Sequence, residues 1–213
     1  MLSRSCEVFL SELGSNAPVP GGGSASALAG AIGIALGTMV GCLTTGKKTY
    51  AQYEEEIQSL IAESRRLTEE MKAAVQKDMT AFEPLSVAYK MPNTTEEEKA
   101  AKNRAVQAAL QPAAEAPLEL AELCVEALRI LDRYSEIGSR LAVSDAGTGA
   151  VMCLAALKGA RLSVLINLNM MEDVSLRDAL YERLEAACRE GEAVCARTYL
   201  RVEKQLSGNI QCQ

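Results

Sequence analysis

The 213 residues carry a formal charge of -6, with 48% hydrophobic and 23% charged side chains, which is the composition of a globular domain and excludes a disordered chain. Acidity without a basic, aromatic-interleaved stripe excludes a nucleic-acid footprint. The complete absence of His excludes Ser-His and Cys-His catalytic pairs and every His-containing metal site, so any proton transfer falls to Asp, Glu, Lys, Tyr or Cys.

In chain order, Ser3 to Leu13 reads as a short amphipathic helix with Val8, Phe9 and Leu13 on one side. It stops at Gly14-Ser15-Asn16, and Ala17-Pro18-Val19-Pro20-Gly21-Gly22-Gly23-Ser24 cannot continue it. Ala25 to Thr44 is almost wholly small or apolar, with Gly33, Gly37 and Gly41 on one helix face. Small-xxx-small spacing is a membrane packing device. Here the stretch lacks a Leu/Ile/Phe-rich run and an aromatic belt, the mean hydropathy of the chain is +0.02, and no second spanning segment is expected. A buried helix packed tightly on its neighbours is the better account, with no membrane partner.

Gly46-Lys47-Lys48 closes that helix. A long helix follows from about Tyr50 towards Ala88, with Pro84 expected to kink or interrupt it. Thr95 and Glu98 form a capping-box pattern. The helical region after them runs to about Tyr134, expected to break near Pro112 and Pro117. Ser144-Asp145 then opens a small-residue helix to Asn169. A last helix starts near Ser175, where Asp178 completes a cap, and runs towards Leu206. Val164 to Leu168 resembles a strand only in isolation. The expected architecture is all-α: one helical bundle of about six to eight helices over residues 1–206, with a frayed tail at 207–213. The core is built from Ala, Leu, Val, Ile and Met, because aromatics make up only 4%. Seven widely spaced Cys and no C-x-x-C pair fit buried thiols in a reducing cytoplasm better than a disulfide framework.

Four places break the ordinary bundle pattern. Pro18 to Ser24 is a tight turn or a close approach to a ligand. Lys47-Lys48 is a solvated helix end or an anion anchor. Lys77-Asp78, with Phe82 one turn on, lies mid-helix. Ser144-Asp145 is first an N-cap, and Asn167 is an amide in an apolar run that needs partners, structural or ligand-borne.

These segments, in this order, resemble one family. Ala17 to Ser24 followed by Ala25 to Val40, Leu43-Thr44-Thr45-Gly46-Lys47-Lys48, Asp78-Met79-Thr80-Ala81-Phe82, Lys90-Met91-Pro92-Asn93-Thr94, Ala116-Pro117-Leu118, Ser144-Asp145 and Val164 to Leu168 are similar to the cyclodeaminase half of formiminotransferase-cyclodeaminases and to stand-alone methenyltetrahydrofolate cyclohydrolases. The resemblance implies an all-helical homodimer with sites at the subunit interface, small residues on Ala25 to Thr44 letting helices approach closely, and tetrahydrofolate derivatives as substrates. It implies chemistry at the N5/N10 bridge: hydrolysis of 5,10-methenyl- to 10-formyl-tetrahydrofolate, or cyclisation of the 5-formimino form with loss of ammonia. Both use proton transfers, with no metal and no redox cofactor.

On the resemblance, Asp78, Asp145 and Lys48 are the candidate catalytic residues. Lys47 is a candidate anchor for the folate tail, and Gly21, Gly22, Gly23, Ser24 and Asn167 are candidates for the pterin pocket. Lys47-Lys48 stands where the bifunctional enzymes have two arginines, a departure that leans towards cyclohydrolase. The alternatives are a catalytically silent folate-binding module and a structural helical dimer. The last predicts that Lys48, Asp78 and Asp145 line no common cleft.

Overall fold

A computed structural model of the protein describes residues 5–208. Six α-helices and two short 3-10 turns make up these residues, and no strand occurs among them. The helices are α1 (Cys6–Leu13), α2 (Gly22–Cys42), α3 (Glu54–Tyr89), α4 (Glu96–Ile137), α5 (Val143–Leu168) and α6 (Val174–Ser207). The 3-10 turns, Lys48–Tyr53 and Arg140–Ala142, lead into α3 and α5. The first residues of the helix expected from Ser3, and positions 209–213 of the expected tail, lie outside the described residues.

Helices α2, α3, α4 and α5 pack as a ring in which each is antiparallel to the next. The register is set by facing pairs: Ser24 with Asp78, Lys77 with Glu119, Ala113 with Asn167, and Gly33 with Gly149. Helix α6 lies outside the ring in the groove between α4 and α5, parallel to α4. The core between them is Leu, Ala, Met, Val and Cys, with Leu67, Met71, Leu110, Leu128, Leu131, Leu157 and Leu184 fully buried.

The glycines of α2 act inside the protomer. A Cβ on Gly33 would sit 2.8 Å from the carbonyl of Gly149, and one on Gly149 would sit 2.6 Å from the carbonyl of Gly33. The two backbones therefore touch where α2 meets α5, and an added methyl at either position would overpack the contact. Gly37 and Gly41 take the side chains of Leu131 and Tyr134 in the same way. The glycine face thus serves the chain's own core. The outward side of α2 carries Ile32, Ala35, Met39 and Leu43.

Several expectations change. Pro84, Pro112 and Pro117 all lie inside helices without ending them. Pro84 and Pro112 are exposed, as are Thr80 and Ala108, whose carbonyls they leave unbonded, so water can serve these groups. Pro117 is buried, and the carbonyl it frees, that of Ala113, accepts from the Asn167 side-chain amide at 2.8 Å. Ser144 and Asp145 do not cap α5. The helix starts at Val143 behind a 3-10 turn, with Ala142 at the cap position. Asp173 rather than Asp178 caps α6, accepting from the Leu176 N–H at 3.0 Å, while Asp178 pairs with Arg177. The capping box at Thr95 and Glu98 is formed as expected.

A second apolar segment also exists. Arg140–Leu168 is, like Gly22–Cys42, long and apolar enough to cross a membrane by length and composition. The sequence reading missed it because Asp145, Lys158 and Arg161 interrupt the run. These two helices pack side by side in the ring, as core helices do.

Candidate functional site

The chain turns from α1 into α2 through Pro18, Val19, Pro20 and Gly21, with a cis Val19–Pro20 peptide. Gly21 occupies the N-cap of α2 and has no side chain to bond the free N–H groups of the first turn. Asp78, projecting from the middle of α3, does this from outside. Its Oδ2 accepts the Ser24 hydroxyl at 2.8 Å, and its carboxylate also accepts the Ser24 N–H. The positive end of α2 thereby faces a carboxylate. Gly23 is required by this approach, since a Cβ there would lie 2.0 Å from Asp78 Oδ1.

A cavity of about 200 Å³ opens above the carboxylate. Gly21, Gly22, Gly23 and Asp78 form one wall, Ser163 and Asn167 the opposite one, and Phe82 and Pro18 close the sides. Burial raises the pKa of Asp78 above the ordinary carboxylate value, and the two hydrogen bonds from Ser24 act against that rise. The result is a half-buried acid whose protonation state is tunable, of the kind suited to general acid–base work.

Asn167 is oriented by its amide nitrogen, which donates to the carbonyls of Ala113 and Ser163, both at 2.8 Å. Two acceptors on one side fix the amide's orientation and leave its oxygen as an acceptor for a ligand. The role of Asn167 is therefore double. It repairs the gap that Pro117 makes in α4, and it lines the cavity.

Lys47, Lys48 and Asp145 lie at the other end of the bundle. Helix α2 has 21 residues, so its ends stand about 30 Å apart. Asp78 is at the first turn of α2, while Lys48 follows its last. Asp145 is in the first turn of α5, whose last turn carries Asn167. Within one protomer, Asp78, Lys48 and Asp145 line no common cleft. Around the lysines the polar groups bond one another. Thr44 Oγ1 donates to the Val40 carbonyl at 2.6 Å and accepts the Ser139 N–H at 2.8 Å. Lys47 Nζ donates to Ser139 Oγ at 3.3 Å. Glu54 accepts from Thr45 and from the Gly46 N–H, and Gly46 there has a φ of 74°. Lys48 is exposed.

A cavity larger than the one at Asp78, about 440 Å³, lies between α5 and α6. It is lined by apolar groups such as Val151, Tyr199, Val202 and Leu206, with Glu203 its one ionisable carboxylate. Size favours it, but chemistry favours the smaller cavity, where a half-buried acid, a helix N-terminus and an oriented amide converge. The sequence reading missed Ser163 and Ala113. The available signals were that Ser163 precedes Asn167 by one helical turn and that Ala113 precedes Pro117 by four residues.

The fold is an all-helical ring that sets a half-buried carboxylate against a glycine-built helix start, in a chain without His. The comparisons with known proteins give the family. Residues 5–186 match the formiminotransferase-cyclodeaminase family model. The chain is 34% identical over 205 residues to a methenyltetrahydrofolate cyclohydrolase of Methylorubrum extorquens, covering 96% of this chain and 99% of that one. It is 30% identical to the formimidoyltransferase-cyclodeaminase of Rattus norvegicus, covering 92% of this chain and 36% of that protein. The crystal structure of a formiminotetrahydrofolate cyclodeaminase from Thermotoga maritima superposes with a TM-score of 0.83 at 30% identity, over 99% of this chain and 100% of that one. The chain belongs to the formiminotransferase-cyclodeaminase family.

Proposed function

We propose that this protein is a cytoplasmic enzyme of one-carbon folate chemistry that hydrolyses 5,10-methenyl-tetrahydrofolate to 10-formyl-tetrahydrofolate at the Asp78 cavity. The observation that carries the proposal is the half-buried Asp78 carboxylate, held on the α2 N-terminus and facing the Asn167 amide. The methenyl bridge is a cation, and an anionic Asp78 beside it favours its binding. As base, Asp78 takes a proton from the water that attacks the bridge carbon. The tetrahedral carbon then releases N5, the carboxylic acid returns the proton to that nitrogen, and the hydroxyl on the carbon gives its own proton to solvent as the formyl carbonyl forms. One group moving one proton in each direction requires a pKa above the ordinary carboxylate range, as burial provides here. The Gly21 to Gly23 backbone and the Asn167 oxygen hold the pterin edge. No metal and no redox cofactor enters this scheme.

The working unit in this reading is a homodimer. α2 has no Asp, Glu, Lys or Arg and exposes Ile32, Ala35 and Met39, with Leu43 just past its end, while α5, packed antiparallel to it, exposes Val151, Ala155, Leu162 and Ile166. Leu162 is 69% exposed and Ile166 is 65% exposed. Such a contiguous apolar face is the mark of an interface. A two-fold axis crossing α2 near its middle makes the two copies of α2 antiparallel. It carries Lys48 and Asp145 of one copy to the Asp78 cavity of the other. Lys48 then stabilises the oxygen that gathers charge on the tetrahedral carbon, while Asp78 moves the proton, and Asp145 orients the ammonium.

The second reading is cyclisation of 5-formimino-tetrahydrofolate with loss of ammonia, favoured by the likeness to the Thermotoga cyclodeaminase. It passes through the same tetrahedral carbon. The absorbance of the methenyl chromophore separates the two. Accelerated decay of methenyl-tetrahydrofolate, with no action on the formimino form, supports hydrolysis. Chromophore growth with ammonia release supports cyclisation. No change in either direction ends the enzyme reading.

A further inference from the structure

Pro18, Val19 and Phe82 each face two ways. On one side they line the Asp78 cavity. On the other they line a groove of about 360 Å³ that runs along α3 past Glu83 and ends at Lys90. The cavity alone, about 200 Å³, is smaller than the ~300–1,000 Å³ usual for small-molecule sites. Cavity and groove together fall within that range. Resting on the folate reading above, we propose that this groove is a second subsite that takes the aminobenzoyl-glutamate half of the substrate, with Lys90 as the anchor for the glutamate carboxylate.

The spacing fits a rod-shaped substrate. Asp78 and Lys90 are 12 positions apart on α3 and its C-cap, a rise of about 18 Å. The pterin and its N5/N10 bridge occupy the cavity, and the aromatic ring lies along Phe82 and Val19. The charges fit as well. Lys77 is engaged by Glu119, and Lys102 Nζ donates to the carbonyls of Tyr89 and Met91 at 2.7 and 3.1 Å. Lys90 forms no ion pair among the described residues, so its ammonium is available. Lys102 also neutralises the α3 C-terminal carbonyls, which would otherwise repel an anion at that end. Glu83, two turns earlier in the same groove, disfavours a carboxylate there and leaves the Lys90 end as its place. This gives the Lys90-Met91-Pro92-Asn93 segment a role and makes Lys90, on the same helix as Asp78, the tail anchor in place of Lys47, which within the protomer lies about 30 Å away at the far end of α2.

The test is steady-state kinetics of the full chain on methenyl-tetrahydrofolate and on methenyl-tetrahydropteroate, which lacks the glutamate. Lys90→Met is expected to raise KM about tenfold for the glutamate-bearing substrate, the size of one charge-assisted contact. Its kcat and its KM for the pteroate should be unchanged, and Lys90→Arg should restore wild-type KM. An unchanged KM, or an equal rise for both substrates, would overturn the subsite. A wild-type protein that turns over neither substrate would bring down the functional reading and the subsite with it, a result distinct from any failure specific to Lys90.

Discussion

The two ends of the α2–α5 pair are built from similar small-residue sequence, yet they treat polar groups in opposite ways. At the lysine end, the buried polar groups of Thr44, Ser139 and Asp132 are answered by others, while the Tyr134 hydroxyl is closed in against Gly41 without a partner among the described residues. Thr44 bridges Val40 and Ser139. Asp132 accepts from Arg197 at 2.7 Å, Arg201 at 2.6 Å and Thr198 at 2.9 Å, tying α4 to α6. At the glycine end, Asp78 and Asn167 are each satisfied on one side only and turn the other to a cavity. Polar groups that are fully paired hold the fold, and those that are half paired are free to meet a ligand. Identity of residue type does not distinguish the ends; what does is that the half-paired groups of the glycine end open onto a cavity.

The largest expected effect breaks the glycine end. Asp78→Asn keeps an acceptor for Ser24 but cannot carry the proton. Its kcat should fall about 10²–10⁴-fold with the helical content unchanged, read from the methenyl chromophore and circular dichroism. In the wild type, activity should decline as pH falls through the raised Asp78 pKa, above the usual carboxylate range, and the variant should lack that limb. Gly23→Ala drives a methyl into the same carboxylate and should cost about 1–3 kcal/mol of stability together with activity, measured by urea unfolding and turnover.

Asn167→Leu sharpens the double role. It strips the Ala113 carbonyl, already without its helical partner at Pro117, of its only replacement. The expected loss is about 1–3 kcal/mol in urea unfolding, and it should be smaller when combined with Pro117→Ala, which returns an N–H to that carbonyl. The smallest effect lies at the lysine end. Burial alone would raise the Asp132 pKa, but the hydrogen bonds from Arg201, Arg197 and Thr198 outweigh it and hold the carboxyl below its ordinary value. A lowered folded-state pKa gives stability that is present above the unfolded value, about 3.9, and is lost as pH falls through the folded one. Asp132→Asn should therefore destabilise by about 1–2 kcal/mol at neutral pH, the half-exposed Arg197 being screened, and the difference should shrink below about pH 4 in thermal melts.

Much of the fold was legible because long helices announce themselves. Ile57, Ile61, Leu67, Met71 and Val75 keep one face, and all are buried in α3. The prolines misled because the penalty for Pro in a helix depends on who takes the orphaned carbonyl. For Pro117 that partner, Asn167, is 50 positions away in sequence and invisible to any local rule. Ser144-Asp145 misled because a 3-10 turn starts the helix earlier than the cap pattern implies. Of the candidate site residues, Gly21, Gly22, Gly23, Asp78 and Asn167 line one cavity, and Ser24 supports it. That grouping rests on a 54-residue separation between Ser24 and Asp78 that only the fold closes. Lys47, Lys48 and Asp145 stand apart because α2 and α5 are single uninterrupted helices, and sequence motifs at their two ends carry no sign of that distance.

The most direct measurement is complementation between the ends. Asp78→Asn and Lys48→Met, each inactive alone, are co-expressed and assayed as a mixed population for methenyl-tetrahydrofolate turnover. A site shared across an antiparallel dimer regains about a quarter of wild-type activity, because half the dimers are mixed and each of those has one intact site. A mixture as inactive as its components, or a Lys48→Met variant that is fully active alone, would contradict the account.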